Sequence, residues 1–174
     1  MSFLDVMHEY FRGEKLEALY FILPAGLALV GFGIVAFKAE RGGFAWGAAV
    51  PAIVFGLLLI ATGLGIGLRT KSQVAALEQA HAESPVAMAQ AELPRMEKVN
   101  KNFRATYFVF GALAALGLVL HYAGMGWSRS LGAVLVLGGG LGLLIDGFAE
   151  RRAEPYTAAL EQLSAVQHEP TPET

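Results

Sequence analysis

The sequence predicts an all-α integral membrane protein with four transmembrane helices. Hydrophobic residues make up 55% of the 174-residue chain and charged residues only 16%, which is too apolar for an ordinary soluble domain of this length. Four uncharged runs are long enough to cross the roughly 30 Å hydrocarbon core of a bilayer as helices. These runs are continuous rather than alternating, which favours helices over the strands of a membrane barrel.

The predicted spans cover about 19–37, 44–68, 105–122 and 131–149. Acidic residues precede the first span, so we expect a retained helix rather than a cleaved signal peptide. Polar segments with helical periodicity predict further helices at 2–15, 69–83, 86–101 and 153–165. In the first of these, four apolar side chains share one face, which suits a helix lying among lipid headgroups; they are Phe3, Met7, Tyr10 and Phe11. The Pro-rich polar tail 167–174 predicts disorder.

Two halves of the chain align at an offset of 83 residues, which predicts two tandem helical-hairpin repeats, 1–83 and 84–166. The pattern E-x-x-R-x-E-K occurs once before each hairpin, as Glu9, Arg12, Glu14 and Lys15 and again as Glu92, Arg95, Glu97 and Lys98. After each hairpin the run AALEQ recurs at 75–79 and 158–162. Each repeat therefore has a cytoplasmic amphipathic helix followed by two spans, and both repeats have the same orientation in the membrane.

The distribution of basic residues predicts the orientation. Of the 13 Lys and Arg residues, all but Lys38, Arg41 and Arg129 lie in the terminal segments or in the middle loop. Because Lys and Arg in short loops are retained in the cytoplasm, both termini and the middle loop are expected there. The composition, rich in Ala, Gly and Leu, suits a bacterial inner (cytoplasmic) membrane.

No ionisable residue lies near the centre of a predicted span, which argues against a proton-coupled pump. Asp146, near the inner end of the fourth span, is the leading single residue. Its simplest interpretation is an interfacial ion pair with Arg69, Arg104 or Arg151, and a gate or ion-binding role is the alternative.

Catalytic and metal-binding patterns are missing from the sequence. The chain has no Cys and 4 His, without H-x-x-x-H spacing or a Gly-rich phosphate loop with Lys. We therefore expect no catalytic residues, no metal ligands and no cofactor. A net charge of -2 gives no reason to expect nucleic-acid binding.

The expected partners are the lipid bilayer and a membrane or cytoplasmic protein. The repeated E-x-x-R-x-E-K residues are either solvated helix surface or a docking surface for a protein or for anionic lipid headgroups. Glycine pairs four residues apart in the second and fourth spans either pack the bundle or allow self-association; they are Gly63 with Gly67 and Gly138 with Gly142.

We therefore expect a non-catalytic membrane protein that acts by protein–protein interaction. It would be an assembly or scaffold subunit, or an immunity protein against a membrane-acting toxin. The alternative is a small transporter or channel subunit built from two similar hairpins. One cavity holding Thr62, Thr106, Tyr107 and Asp146 would favour transport, whereas a dry, closely packed interior would favour binding.

Overall fold

The computed structural model describes residues 2–39 and 41–165, which are almost entirely helical. Four long helices are each long and apolar enough to cross a membrane, which confirms the predicted class. The predicted disordered tail, 167–174, lies outside the described residues. In chain order the elements are α1 Phe3–Glu17, a π-helical turn Ala18–Ile22, α2 Leu23–Ala39, α3 Gly43–Glu83, α4 Pro85–Ala123 and α5 Trp127–Ala165.

The three longest helices exceed the membrane thickness about twofold. Helix α3 has 41 residues, and α4 and α5 have 39 each, so each is about 60 Å long at 1.5 Å per residue. The hydrocarbon core requires only about 30 Å. The polar helices predicted at 69–83, 86–101 and 153–165 are therefore continuations of α3, α4 and α5, which project well beyond the bilayer.

The first long helix, Phe3–Ala39, contains one wide turn where it enters the membrane. The backbone N–H of Leu23 donates to the carbonyl of Ala18, five residues back. Pro24 follows directly, and its ring would clash with the carbonyl four residues before it in a regular α-helix. A π-helical turn relieves that clash and changes the rotational register between α1 and α2.

Within the membrane the four helices pack as two hairpins. Helix α2 packs against α3, α4 packs against α5, and the two hairpins meet through α3 and α5. Glycines allow close backbone approach inside each hairpin: a Cβ on Gly26 would lie 2.7 Å from the carbonyl oxygen of Gly56, and one on Gly117 would lie 2.7 Å from that of Gly132.

The glycine pairs of the second and fourth spans make contacts within the chain. An added Cβ on Gly63 would lie 2.8 Å from the carbonyl oxygen of Ala18, and one on Gly67 would meet the Leu19 side chain. Added Cβ atoms on Gly138 and Gly142 would meet the rings of Phe55 and Phe110, respectively. These faces are therefore filled by intramolecular packing.

At one end of the molecule the two hairpin turns lie side by side. The Ser130 hydroxyl donates to the carbonyl oxygen of Phe44 at 2.6 Å, so α3 and α5 begin at the same level. Trp46 and Trp127 are about half exposed at this end, as expected for indoles at a membrane interface.

At the opposite end, the projecting segments pack into a second bundle, which we name the polar-end bundle. It comprises α1 and the segments 69–83, 85–101 and 153–165. Its core contains nine buried residues, namely Met7, Tyr10, Phe11, Met88, Ala89, Met96, Ala153, Tyr156 and Leu160. The structure differs here from the sequence prediction, because the apolar face of α1 packs against α4 and α5 instead of lying among lipid headgroups.

Candidate functional site

A buried ionic group lies inside the polar-end bundle. Arg95 donates two hydrogen bonds to the Glu92 carboxylate, at 2.9 and 2.5 Å, and the Tyr156 hydroxyl donates a third at 3.2 Å. Glu92 is 8% exposed and Tyr156 is fully buried. Tyr10 stacks on Tyr156, with ring centroids 4.8 Å apart.

The charges of this group stabilise one another. Burial alone would lower the pKa of Arg95, but the hydrogen bond to Glu92 and its negative charge raise that pKa above the ordinary value. Burial and the neighbouring Glu92 also raise the pKa of Tyr156. Tyr156 is consequently a neutral donor and Arg95 a permanent cation at any physiological pH. The arrangement is that of a structural ion pair with an additional hydrogen bond from Tyr156.

Three further ion pairs hold the polar-end bundle together. Arg69 pairs with Glu14 at 3.2 Å, and Arg152 pairs with Glu17, 135 residues away in the chain. A partly exposed pair joins His8 to Glu78 at 3.1 Å. Each pair links α1 to α3 or to α5, so the first helix is fixed to both hairpins.

The structure distributes the repeated E-x-x-R-x-E-K residues among different environments. Glu92 and Arg95 lie in the buried group, and Glu14 faces Arg69. The remaining residues are exposed and form no ion pair within residues 2–39 and 41–165; they are Glu9, Arg12, Lys15, Glu97 and Lys98. Three of the four equivalent positions therefore have different surroundings in the two segments, and only Lys15 and Lys98 share the same exposed environment.

Asp146 lines a cavity of about 220 Å³ between the two hairpins. All four membrane helices contribute to its wall, and every lining residue except Thr62, Asp146 and two glycines has a larger apolar side chain. One carboxylate oxygen of Asp146 is buried without a hydrogen-bond partner among the described residues. In that same part of the chain, no ion pair joins Asp146 to Arg69, Arg104 or Arg151.

Only two of the four polar residues considered for a transport path lie in this cavity. Tyr107 instead donates to Glu150 at 2.6 Å. The Thr106 hydroxyl donates to the backbone carbonyls of Asn102 and Phe103. The cavity is therefore mostly apolar, with Thr62 and Asp146 as its polar groups.

A larger groove of about 680 Å³ lies between α1 and the part of α3 just beyond its predicted span. We name it the basic groove. Its cations are Arg12, Lys15 and Lys71, and its membrane-facing wall includes Leu16 and Tyr20. Arg12 and Lys15 belong to the repeated E-x-x-R-x-E-K pattern. Lys71 could not be assigned to the same site from the sequence, because its proximity to α1 depends on tertiary packing.

Two other residues that organise this end were also missed. Tyr156 and Arg152 carry no motif, although the hydrophobic spacing of 153–165 with Tyr156 and Leu160 four apart was available as a signal for a buried face. In the described residues, no group of three or more His, Asp or Glu side chains could hold a metal ion.

In comparisons with known proteins, no family model, no curated protein and no solved structure matches the chain.

Proposed function

We propose that this chain is a non-catalytic membrane protein that acts by binding another protein through its polar-end bundle. The observation that carries the proposal is the bundle itself, in which a packed core and four ion pairs support a set of exposed charges. A surface held rigidly by such a scaffold loses little conformational entropy on binding, which favours recognition. The identity of the partner would determine whether this chain is an assembly subunit, a scaffold or an immunity protein.

The proposed docking surface is the exposed side of α4. Glu97, Lys98 and Lys101 are exposed there and have no ion-pair partner within the described part of the chain. They lie within five residues of Met96, which is fully buried and anchors this part of α4 in the core. One acidic and two basic groups in this arrangement suit a partner with a complementary pattern of charges.

The proposed location of the bundle is the cytoplasmic side of a bacterial inner membrane. Ser2, Ala165, the α3–α4 junction and most Lys and Arg residues of the described ranges lie at the bundle end. The two hairpin turns lie at the opposite end with few basic residues. This asymmetry supports a cytoplasmic bundle, because basic residues near span ends are retained inside.

The tandem-repeat interpretation belongs to the same proposal and has support in the packing. Gly56 and Gly139 are 83 residues apart, and an added Cβ on either would lie 2.7 Å from a backbone carbonyl of the preceding helix. The contact of the two hairpins through the equivalent helices α3 and α5 is that expected when a pseudo-twofold axis along the membrane normal relates two hairpins.

Affinity purification in mild detergent with mass spectrometry tests the binding function. We would compare the native chain with Glu97→Ala/Lys98→Ala and with the control Glu161→Ala/Gln162→Ala on exposed α5 positions. We expect one stoichiometric partner to be recovered with the native and control chains and to be lost with Glu97→Ala/Lys98→Ala. The purified partner should reproduce this difference in binding. Equal recovery of that partner with all three chains would contradict the proposed surface. Absence of any stoichiometric partner would contradict the function.

A small transporter or channel subunit is the second candidate, and the cavity containing Asp146 favours it. Proteoliposomes with the native chain or Asp146→Asn would be compared for proton and monovalent-cation flux. If the native chain conducts ions and the flux is lower with Asp146→Asn, transport would replace binding as the proposed function. We expect background flux in both, because the cavity wall is mostly apolar.

A further inference from the structure

We propose that the basic groove is a binding site for the headgroup of one anionic phospholipid. The groove lies where α1 passes into the first membrane helix and where α3 leaves its span. With the spans placed in a bilayer, a groove at this depth would be open to lipid at one side and to water at the other. It therefore meets the part of the bilayer in which phosphates lie.

The charges lining the groove have the sign required for a phosphate. Arg12, Lys15 and Lys71 are exposed, and none forms an ion pair within residues 2–39 and 41–165. Among the described residues, the only carboxylate in the lining is Glu78, which faces His8 at 3.1 Å. Three cations thus face a single acid that already has a partner, which leaves a net positive site.

The groove also provides contacts for an acyl chain. Leu16 and Tyr20 are 45% and 77% exposed, and both line the membrane-facing wall together with Leu19. These side chains continue from the cationic end into the first span. A molecule that suits both parts has a negative headgroup joined to a long hydrocarbon chain, which is the chemistry of an anionic phospholipid.

A soluble phosphate is a poorer fit for the same groove. The cations are spread around about 680 Å³, and exposed Lys and Arg bind small ions weakly in water. A phospholipid already resides in the bilayer beside the groove, so its headgroup loses little translational freedom on binding. The occupant that we infer is therefore a membrane lipid.

Native mass spectrometry of the purified full chain in detergent tests this site. Phosphatidylglycerol would be the anionic probe and phosphatidylcholine the zwitterionic control. The site variant would be Arg12→Gln/Lys15→Gln/Lys71→Gln. The matched control would be Lys98→Gln/Lys101→Gln/Arg104→Gln, which removes three exposed cations from α4, none of which lines the groove.

We expect one phosphatidylglycerol bound to the native chain and to the control variant, with roughly 100-fold weaker binding to the site variant, since each basic residue near anionic lipid contributes about fivefold. Equal weakening in both variants would indicate general charge attraction and overturn the site. Undiminished binding to the site variant, or equal affinity for phosphatidylcholine, would overturn it too. Displacement of the lipid by millimolar inorganic phosphate would reassign the groove to a soluble anion. Thermal unfolding of both variants checks their folding.

Discussion

The hydroxyl of Tyr156 donates a hydrogen bond of 3.2 Å to Glu92, across 64 residues of sequence. The contact joins the last segment of α5 to the first segment of α4. Tyr156 is also surrounded by Phe3, Tyr10 and Phe11 of α1. One side chain therefore connects three of the four segments that form the polar-end bundle.

Two substitutions of Tyr156 should destabilise the polar-end bundle by different amounts. Tyr156→Phe removes only the hydrogen bond and should cost about 1–2 kcal/mol. Tyr156→Ala also leaves a cavity and should cost about 3–5 kcal/mol. The free energy of unfolding in mixed micelles measures both, and equal losses for the two variants would contradict the assignment of the ring to the core.

Glu92 and Arg95 should be coupled energetically. Glu92→Gln leaves the Arg95 charge half-buried without its carboxylate and should cost about 2 kcal/mol. Glu97→Gln, on the exposed side of the same helix, should change stability by less than about 0.5 kcal/mol. A double-mutant cycle with Arg95→Met provides the coupling energy. A coupling energy near zero would mean that the pair does not support the bundle.

The contact between Gly26 and Gly56 should be intolerant of any side chain. Gly56→Ala places a Cβ 2.7 Å from the Gly26 carbonyl oxygen and should destabilise the first hairpin by about 1–3 kcal/mol. Gly65→Ala is the matched control in the same helix, because an added Cβ there meets nothing within 4 Å. Steric-trapping measurements in bicelles would compare the two. Similar stability changes would contradict the packing of α2 on α3.

The orientation can be tested by single-cysteine labelling, because the native chain contains no Cys. Ser72→Cys lies in the polar-end bundle and Met125→Cys in the second hairpin turn, and both positions are exposed. In intact bacterial cells, a membrane-impermeant maleimide should label position 125 and should label position 72 only after lysis. The reverse pattern would place the bundle outside the cytoplasm.

The four spans could be predicted from the sequence because lipid imposes a simple requirement of length and apolarity, which each run meets independently. The environment of α1 could not be predicted in this way. Its apolar stripe of Met7, Tyr10 and Phe11 suits either lipid headgroups or a protein core. The core exists only because α4 and α5 continue beyond their membrane spans. Helical periodicity specifies which face is apolar and leaves open what covers it.

The environments of the charged residues in the candidate site also could not be predicted from the sequence pattern. Glu9 and Glu92 belong to identical patterns, yet Glu9 is exposed and Glu92 is buried beside Tyr156. The pairing of Glu17 with Arg152 joins opposite ends of the chain. Such pairs are determined by how helices from both hairpins pack, and that packing cannot be predicted from a local sequence pattern.

The long helices have a mechanical consequence. Because α3, α4 and α5 run without a break from the membrane into the polar-end bundle, each behaves as a lever. A tilt of roughly 10° inside the bilayer would move the far end of a projecting segment by about 4 Å, given 1.5 Å per residue. These three helices are joined through α1, Tyr156 and the ion pairs, so they cannot tilt separately, and a force on one hairpin is transmitted to the other through the bundle.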